Sequence, residues 1–527
     1  PGSPLFLLLG NVFSHIPILN DIGARVNLIS PISSALSVMF LYHIIVHLIK
    51  EFNGEPKNLS DIIINNISAI IAALTFAITD SQWFNAVESE VYAISTFFTA
   101  IVLWMILKWS SHSDEKWDIR YLLLIAYMLG LATGIHLLNL LTLPFIALII
   151  HFSNIKYTPA LNKSSTISKE LYSTYSLIGA TIVTLLTFIV IYLGIIKGLP
   201  NMLLQIRNFI ELKSFDGSVI EVFIQFLFPL LIIVSLIAGI IAFTFIKNNV
   251  LKVSIISIFM IYIGFSTYAT IFIRATQHPS INENNPDTLK GALAYMNRDQ
   301  YGDWSIIDRE STLKRDENIY WSRYTKDQSN PSFGEVFNFV LKYQFNEMYF
   351  RYFLWQFAGK EDYEARTWKI QSLDGQEIKK LQGINWFKYG VPLALFFGIF
   401  GIGYHFYRDY KRAFALLTLF LATGLMIIIY LNQYDPQPRE RDYSYVGSFF
   451  VFSIWISIGV CALLEKIKEY LEPLLNKNEL REGLYLGLLG IIFLCMPFTM
   501  IVKDYHEHNR KGNYVAWDYA YNLLNSC

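Results

Sequence analysis

Residues 84–107 read FNAVESEVYAISTFFTAIVLWMIL, an apolar run that carries two glutamates near its start. The run is long enough to cross the ~30 Å hydrocarbon core of a bilayer as a helix, which needs about 20 residues. Glu88 and Glu90 stand out because a carboxylate at the centre of a spanning helix costs about 2.5 to 3.5 kcal/mol on insertion scales. The stretch therefore predicts a membrane span with polar side chains at one end.

The composition of the 527-residue chain agrees with this interpretation. Hydrophobic residues make up 54% of the sequence, charged residues make up only 16%, and the mean hydropathy is positive. These values predict an all-α polytopic membrane protein. The net charge is zero, so nothing in the overall charge indicates a nucleic-acid partner. Three cysteines, Cys461, Cys495 and Cys527, predict neither a disulfide framework nor a metal cluster.

Twelve apolar segments are candidates for membrane-spanning helices. They cover residues 27–49, 60–80, 84–107, 119–136, 137–152, 172–196, 219–246, 251–273, 386–407, 412–431, 444–464 and 483–502. The pair 119–136 and 137–152 is short, so one long bent hairpin and two shallow helices both stay open there. The sequence therefore predicts a bundle of about twelve transmembrane helices.

Lys and Arg side chains predict the orientation of this bundle. They are concentrated in the loops after the odd-numbered segments, whereas the loops at 81–83 and 134–139 hold none. The positive-inside rule places the first set of loops in the cytoplasm and the second set outside it. The outer side then receives a large loop, within which residues 333–359 mix aromatic and charged side chains at near-helical spacing. A helix in the headgroup plane and a helix of a small soluble domain are both possible.

Four parts are predicted along the chain. They are an N-terminal transmembrane core (1–273), an extracytoplasmic loop with interfacial helices (274–385), C-terminal transmembrane helices (386–502) and the start of an extracytoplasmic segment (503–527). The sequence begins at Pro1 without a methionine, and we expect it to be a fragment of a longer protein.

The first candidate site residues are those of the opening stretch. Glu88 and Tyr92 are four residues apart and are expected to share a helix face, with Glu90 on a different face. Measured from Phe84, Glu88 would lie roughly 6 Å and Glu90 roughly 9 Å into the membrane. Two interpretations stay open: carboxylates wetted by headgroups, or carboxylates that face a cavity open to the outer side.

Further polar side chains are predicted at the same level of the membrane. They are His136, Asn139, Arg207, Arg274, His278, Arg439, Arg441 and Asp442. Each alone is typical of a structural or solvated residue, but arginines bind phosphate and carboxylates can deprotonate a hydroxyl. Their convergence predicts phosphate and hydroxyl chemistry at a membrane surface. No spacing typical of metal ligands is found, and HEH at 506–508 is expected to be a solvated surface cluster.

Four stretches resemble a known family of membrane proteins. They are SQWFNAVESEVYAISTFFTAIVLW (81–104), TGIHLLNLLTLP (133–144), YFRYFLWQFAG (349–359) and, most specifically, DPQPRERDYSYVGSFFVFSIWI (435–456). The sequence resembles glycosyltransferase family 117 of the Bacteroidetes, formerly a domain of unknown function, which has a metazoan relative that is a protein O-mannosyltransferase. The resemblance extends over essentially the whole chain.

This resemblance implies a GT-C-like enzyme that moves a sugar, mannose or another hexose, from a polyprenyl-phosphate carrier to a Ser or Thr hydroxyl of a protein acceptor. It further implies a bacterial inner membrane with the large loop in the periplasm, and no cofactor, although a divalent metal is left open. In this family the general base lies in a Trp-Asp-x-Gly-Glu-Phe motif of the first external loop. The chain matches the family only after that motif, so the first span and that Asp are expected to precede it.

Under this resemblance, the candidate residues receive roles. Glu88 and Glu90 would hold the acceptor hydroxyl or the sugar, with Tyr92 on the wall of the cavity beside Glu88. The lipid-linked phosphate would contact arginines, and His136 is a candidate of second rank. The arginines are Arg274, Arg439 and Arg441.

Two other classes of function stay open. A transporter or flippase of a lipid-linked substrate would place its charges near the midplane and carry inverted repeats. The charges here lie toward one face and no repeat is visible, which favours an enzyme. A scaffold subunit of an envelope complex would use the large outer loop as an interaction surface and would have no sugar-transfer activity.

Overall fold

The structure is a computed structural model. It describes residues 3–112, 119–155, 249–297, 308–361, 371–373, 376–378, 383–475 and 478–526, together with Ile237, Ile241 and Thr244. The predicted span 172–196 and the candidate Arg207 lie outside the described residues, as does the predicted span 219–246 apart from those three positions.

Helices dominate the N-terminal half of the described chain. They are α1 (Pro4–His15), α2 (Ile22–Asn27), α3 (Ile29–Asn53), α4 (Leu59–Ala77), α5 (Asp80–Val87), α6 (Val91–Ser111), α7 (Ile119–Thr133), a 3₁₀ helix (Leu137–Thr142), α8 (Leu143–Ile155), α9 (Asn249–Phe265), a 3₁₀ turn (Ser266–Tyr268) and α10 (Ala269–Ala275). The predicted pair 119–136 and 137–152 thus forms two short helical segments, the second of which starts with a 3₁₀ helix.

The remaining elements continue this pattern. They are α11 (Leu289–Asn297), α12 (Arg309–Lys314), a 3₁₀ turn (Trp321–Arg323), α13 (Phe333–Phe339), a π-helix (Val340–Phe350), α14 (Arg351–Phe357), the hairpin β1 (Gln371–Leu373) and β2 (Gln376–Ile378), α15 (Leu393–Arg408), α16 (Tyr410–Thr423), α17 (Leu425–Leu431), a 3₁₀ turn (Asp442–Tyr445), α18 (Val446–Leu474), α19 (Glu479–Phe493), α20 (Cys495–His508) and α21 (Val515–Ser526). The two strands pair antiparallel, Gln371 opposite Ile378.

The described residues contain seven helical segments that are long and apolar enough to cross a membrane. They are Ile22–Asn53, Leu59–Ala77, Val91–Ser111, Lys252–Ala275, Tyr410–Leu431, Asp442–Leu474 and Glu479–His508. This confirms the all-α polytopic class, whereas the count of twelve spans and the four-part division of the chain stay predictions. The segment predicted at 386–407 begins at Leu393 and is a shorter helix, and the segment 412–431 is interrupted at Gly424.

Small residues allow the central helices to approach closely. A Cβ atom built on Gly401 of α15 would lie 1.9 Å from the carbonyl oxygen of Trp455 in α18, and one built on Gly459 would lie 2.1 Å from that of Phe397. The two backbones therefore touch, as in small-residue packing between membrane helices. Of the seven candidate spans among the described residues, the one that contains α18 is the most buried, because 89% of its most apolar 18 residues are buried in the protein.

The loops predicted on the Lys- and Arg-rich side meet at one end of the bundle. Lys468 Nζ lies 2.6 Å from Asp61 Oδ1, which joins the last part of α18 to the start of α4. Arg412 pairs with Glu51, which joins the start of α16 to the end of α3. The regions after the first, ninth and eleventh predicted segments therefore lie at one end of the bundle, while the alternation of the remaining loops and the assignment of this end to the cytoplasm stay predictions.

The aromatic stretch 333–359 packs into the opposite end of the bundle. Its α14 residue Phe353 lies 6.0 Å from Phe420 and 4.8 Å from Phe452, measured between ring centroids. Trp355 is fully buried. The aromatic side chains of α14 are therefore buried against the spans, whereas Phe333 and Phe337 of α13 are exposed, and the two interpretations left open by the sequence stay predictions.

Candidate functional site

A break in the helix carries the two glutamates that opened the sequence analysis. Helix α5 ends at Val87, and α6 begins at Val91. Glu88 and Glu90 flank this break in extended conformations, so the expectation that Glu88 and Tyr92 share one helix face was wrong. The break is stabilised by Asn27, whose side-chain NH₂ donates to the Val87 carbonyl at 3.2 Å. An acidic residue just before a helix also interacts favourably with the helix dipole, which suits Glu90.

The break keeps both carboxylates out of the apolar span. Glu88 is half exposed and pairs with Arg510 at 3.3 Å, whereas Glu90 is partly buried. The predicted span 84–107 therefore starts at Val91 instead of Phe84, and the carboxylates lie at the end of the bundle. This position avoids the cost of a charge within the membrane.

Four side chains near the start of α6 contact one another in a row, and we call this row the tyrosine column. In order, they are Arg439, Tyr443, Tyr92 and His136. The Arg439 guanidinium lies 5.1 Å from the Tyr443 ring, within the range of a cation–π contact. The rings of Tyr443 and Tyr92 lie 4.4 Å apart, and those of Tyr92 and His136 lie 5.5 Å apart. Arg439 is exposed, so the column connects the outer surface with the interior.

A small cavity of about 30 Å³ lies beside this column. Most of its polar lining is hydroxyl groups, from Tyr92, Ser95, Thr96, Thr99, Thr423 and Ser444. A cavity of this volume holds about two water molecules. Its lining can hydrogen-bond to a polyhydroxylated ligand, but the cavity must widen before a sugar ring can enter.

Asn139 supports the wall of this cavity. Its NH₂ group donates to Ser95 Oγ at 3.0 Å, and its carbonyl oxygen accepts from Thr99 at 3.1 Å. Asn139 is 1% exposed, and His136 Nδ1 accepts from the backbone of Leu138. Three candidates predicted from the sequence, Tyr92, His136 and Asn139, are thus brought together.

A buried ionic cluster lies at the same end of the bundle, and we call it the Asp80 network. Lys360 Nζ lies 3.1 Å from Asp80 Oδ2 and 3.4 Å from Glu507 Oε1. The His508 ring contacts the rings of Trp83 and Phe84, at centroid distances of 4.9 and 4.4 Å. Its Nε2 is 3.1 Å from Asp80 Oδ1.

The second ring nitrogen of His508 also faces an oxygen, the backbone carbonyl of Asp504 at 2.9 Å. Because both ring nitrogens have an acceptor, the doubly protonated imidazolium satisfies both contacts. His508 is 1% exposed, so the expectation of a solvated cluster at 506–508 was wrong for this residue. The end of the last span packs against α5, and the sequence pattern does not predict this contact.

Burial and neighbouring charges oppose each other in this network. Burial alone would raise the pKa of Asp80, but the Lys360 ammonium and the hydrogen bond from His508 outweigh it and hold that pKa well below its ordinary value. Burial lowers the pKa of Lys360, yet the carboxylates of Asp80 and Glu507 raise it more, so its pKa lies above its ordinary value. Both groups therefore stay charged at neutral pH.

The DPQPRERDY segment joins this network to the column. Asp442 accepts a hydrogen bond from the Ser81 hydroxyl, next to Asp80. Glu440 pairs with Arg351 at 2.8 Å and accepts from Tyr352 at 2.6 Å. Burial raises the pKa of Glu440, but Arg351 lowers it more, so the carboxylate stays ionised.

The sequence analysis missed several of these residues. Asp80, Tyr443 and Glu440 each lie next to a residue or motif that it singled out. Their position next to these residues in the sequence is the signal that could have identified them. Lys360 lies just after the quoted stretch 349–359, but nothing local indicates its partner in α5.

The other predicted residues lie apart from the column. Arg274 and His278 are exposed at and after the end of α10. The side chain of Arg441 donates to Gln437 at 3.0 Å, and its backbone N–H donates to the Tyr352 hydroxyl. Within the described residues, no group of three or more His, Cys, Asp or Glu side chains has the arrangement of a metal site.

Comparison with known protein families gives a match for the N-terminal part of the chain. Residues 1–159 match the family described as "Protein O-mannosyl-transferase TMEM260 N-terminal domain". This part is similar to a protein O-mannosyltransferase domain. The match covers less than a third of the chain and includes Glu88, Glu90, Tyr92, His136 and Asn139. A search of curated proteins gave no match.

Proposed function

We propose that this chain is a membrane glycosyltransferase of the GT-C type. It moves a sugar, mannose or another hexose, from a polyprenyl-phosphate carrier to a Ser or Thr hydroxyl of a protein on the extracytoplasmic side. The observation that carries this proposal is the similarity of residues 1–159 to a protein O-mannosyltransferase domain. The hydroxyl-lined cavity beside Tyr92, whose wall includes residues of the matched part, supports it.

The tyrosine column suits a phosphate and a sugar at adjacent positions. Arg439 is exposed at the outer end, where a guanidinium binds a phosphate diester and stabilises the charge that grows as the glycosidic bond breaks. Tyr443 and Tyr92 present aromatic and hydroxyl groups deeper in the column. Arg441, Arg274, His278 and Arg207 remain candidates of the same proposal, as does Asp442.

A carboxylate is needed on the acceptor side of the reaction. The acceptor hydroxyl oxygen forms a bond to the anomeric carbon, the bond from that carbon to the phosphate oxygen breaks, and the hydroxyl proton goes to a base. Glu88 and Glu90 lie at the helix break just before Tyr92 and are proposed to hold or deprotonate the acceptor. Glu88 can reach a substrate only if its contact with Arg510 rearranges.

The test is a transfer assay with the product of the complete gene, purified in detergent. The protein is given polyprenyl-phosphate-linked mannose and a peptide that contains Ser and Thr, and mass spectrometry measures a hexose gain on the peptide. A gain that falls in Glu88→Ala and in Tyr92→Phe supports the proposal, and Arg510→Ala separates a direct role of Glu88 from a role of the ion pair.

Other outcomes would overturn the proposal. No transfer with several donors and acceptors from a folded protein would favour a transporter or flippase of a lipid-linked substrate. Copurification of a stoichiometric partner without transfer would favour a scaffold of an envelope complex. Wild-type transfer by Glu88→Ala would remove that residue from the catalytic set.

A further inference from the structure

Helix α21 follows the last span and presents an apolar surface that no described contact covers. On a helical wheel, its polar residues Asp518, Asn522, Asn525 and Ser526 occupy an arc of roughly 100°. Apolar and aromatic residues occupy the rest of the circumference, and their exposed fractions are large. They include Trp517 (62%), Tyr519 (70%), Tyr521 (55%), Leu523 (51%) and Leu524 (78%).

Such a helix gains little stability on its own in water. Helices shorter than about 12 to 15 residues are marginal in isolation, and α21 has 12 residues. Its stability must come from burial of the apolar face against another surface. A contiguous exposed apolar patch of this kind marks a protein or membrane interaction site.

The position of α21 restricts what this surface can be. Residues 509–514 connect α21 to His508, so the helix starts within roughly 25 Å of the end of the last span. That span has an exposed apolar stripe that continues to its outer end. It comprises Leu484, Leu488, Ile491, Phe498, Val502 and Tyr505. The lipid-facing surface of the last span therefore ends close to α21, from which only residues 509–514 separate it.

We propose that α21 lies parallel to the membrane surface, at the membrane–water interface on the side where the last span ends. Its apolar side is in the lipid, and Asp518 and Asn522 face the water. Trp517 and Tyr521, whose rings stack at 5.0 Å, belong to the residue types enriched at this level. The polar arc holds no Lys or Arg, so binding comes from apolar burial. The depth of the helix is therefore expected to be the same in zwitterionic and in anionic bilayers.

The experiment uses the full chain in lipid nanodiscs with single spin labels. Labels are placed by Leu523→Cys on the apolar side and by Asn522→Cys on the polar arc, after the three native cysteines are replaced. Leu488→Cys, at a lipid-facing position of α19, is the control for burial in lipid. The measurement compares the collision of each label with oxygen, which concentrates in lipid, and with a water-soluble nickel complex.

The proposal expects the label at 523 to collide mainly with oxygen, as at 488, and the label at 522 to collide mainly with nickel. Equal nickel access at 522 and 523 would overturn it, because the helix would then be free in water. Shielding of both labels from both reagents would overturn it as well, because protein would then cover the helix. Unchanged elution volume of the variants confirms that the labels leave the fold intact.

Discussion

His508 and Asp80 are 428 residues apart in the sequence, yet His508 Nε2 lies 3.1 Å from Asp80 Oδ1. This contact joins the end of the last span to the short helix that follows α4. Lys360, from the long segment that precedes α15, completes the pairing of Asp80. Three distant parts of the chain are therefore joined through one buried carboxylate, at the first residue of the helix that ends at the break.

We expect His508→Gln to destabilise the protein by about 3 kcal/mol, because it removes one partner of a buried charge and leaves Asp80 paired only with Lys360. Thermal unfolding in detergent measures the effect. His506→Gln is the matched control, because His506 is on the same helix but exposed. Equal melting temperatures for the two variants would show that the His508 contact contributes nothing.

The Asp80 carboxylate gives the stability a pH dependence of known sign. Its folded pKa lies well below its ordinary value of 3.8, so it stabilises the fold above that value and the contribution is lost as pH falls. Between about pH 5 and pH 6, where Asp80 is ionised and His508 carries both ring protons, the gap in melting temperature between the wild type and Asp80→Asn is therefore constant, and it narrows below about pH 4. Asp518→Asn, at an exposed position, should show no gap. A gap that widens on acidification would contradict this assignment.

The proposed function predicts a graded effect at Arg439. Arg439→Ala removes the cation above Tyr443 and is expected to lower kcat by about 100-fold. Arg439→Lys keeps the charge but loses the planar guanidinium, so its rate should lie between those of the wild type and Arg439→Ala. Initial rates of peptide glycosylation measure this order, with the exposed Lys326→Ala as control. Wild-type rates for both Arg439 variants would exclude a role in phosphate binding.

The close crossing of α15 and α18 predicts different effects for two glycines on one helix. Gly401→Ala places a methyl group against the Trp455 carbonyl and should destabilise the protein by about 1–3 kcal/mol. Gly403→Ala meets no atom within 4 Å and should be neutral or stabilising, because alanine favours helix. Thermal unfolding of both variants tests this difference, and an equal loss in both would contradict the packing.

Tyr92, His136 and Asn139 show how far the sequence could predict the site. Each lies near a span end that hydropathy and Lys/Arg distribution assign to one side, so their convergence was predictable. The break at Glu88 was not predicted, because apolar residues on both sides of the glutamates gave a continuous helical pattern. Tyr443 was missed beside Asp442, since an aromatic residue before a span resembles an ordinary interfacial anchor.

Hydropathy along the chain was enough to predict a helical membrane protein and the position of most of the described spans, and the Lys and Arg residues predict which loops share a side. These properties depend on local hydropathy and on charge in short loops, which act over tens of residues. The contacts of Asp80 with Lys360 and His508, and the ring contacts of the tyrosine column, are visible only in the folded protein. Such pairings join residues hundreds of positions apart, and they are fixed by how the helices pack against one another.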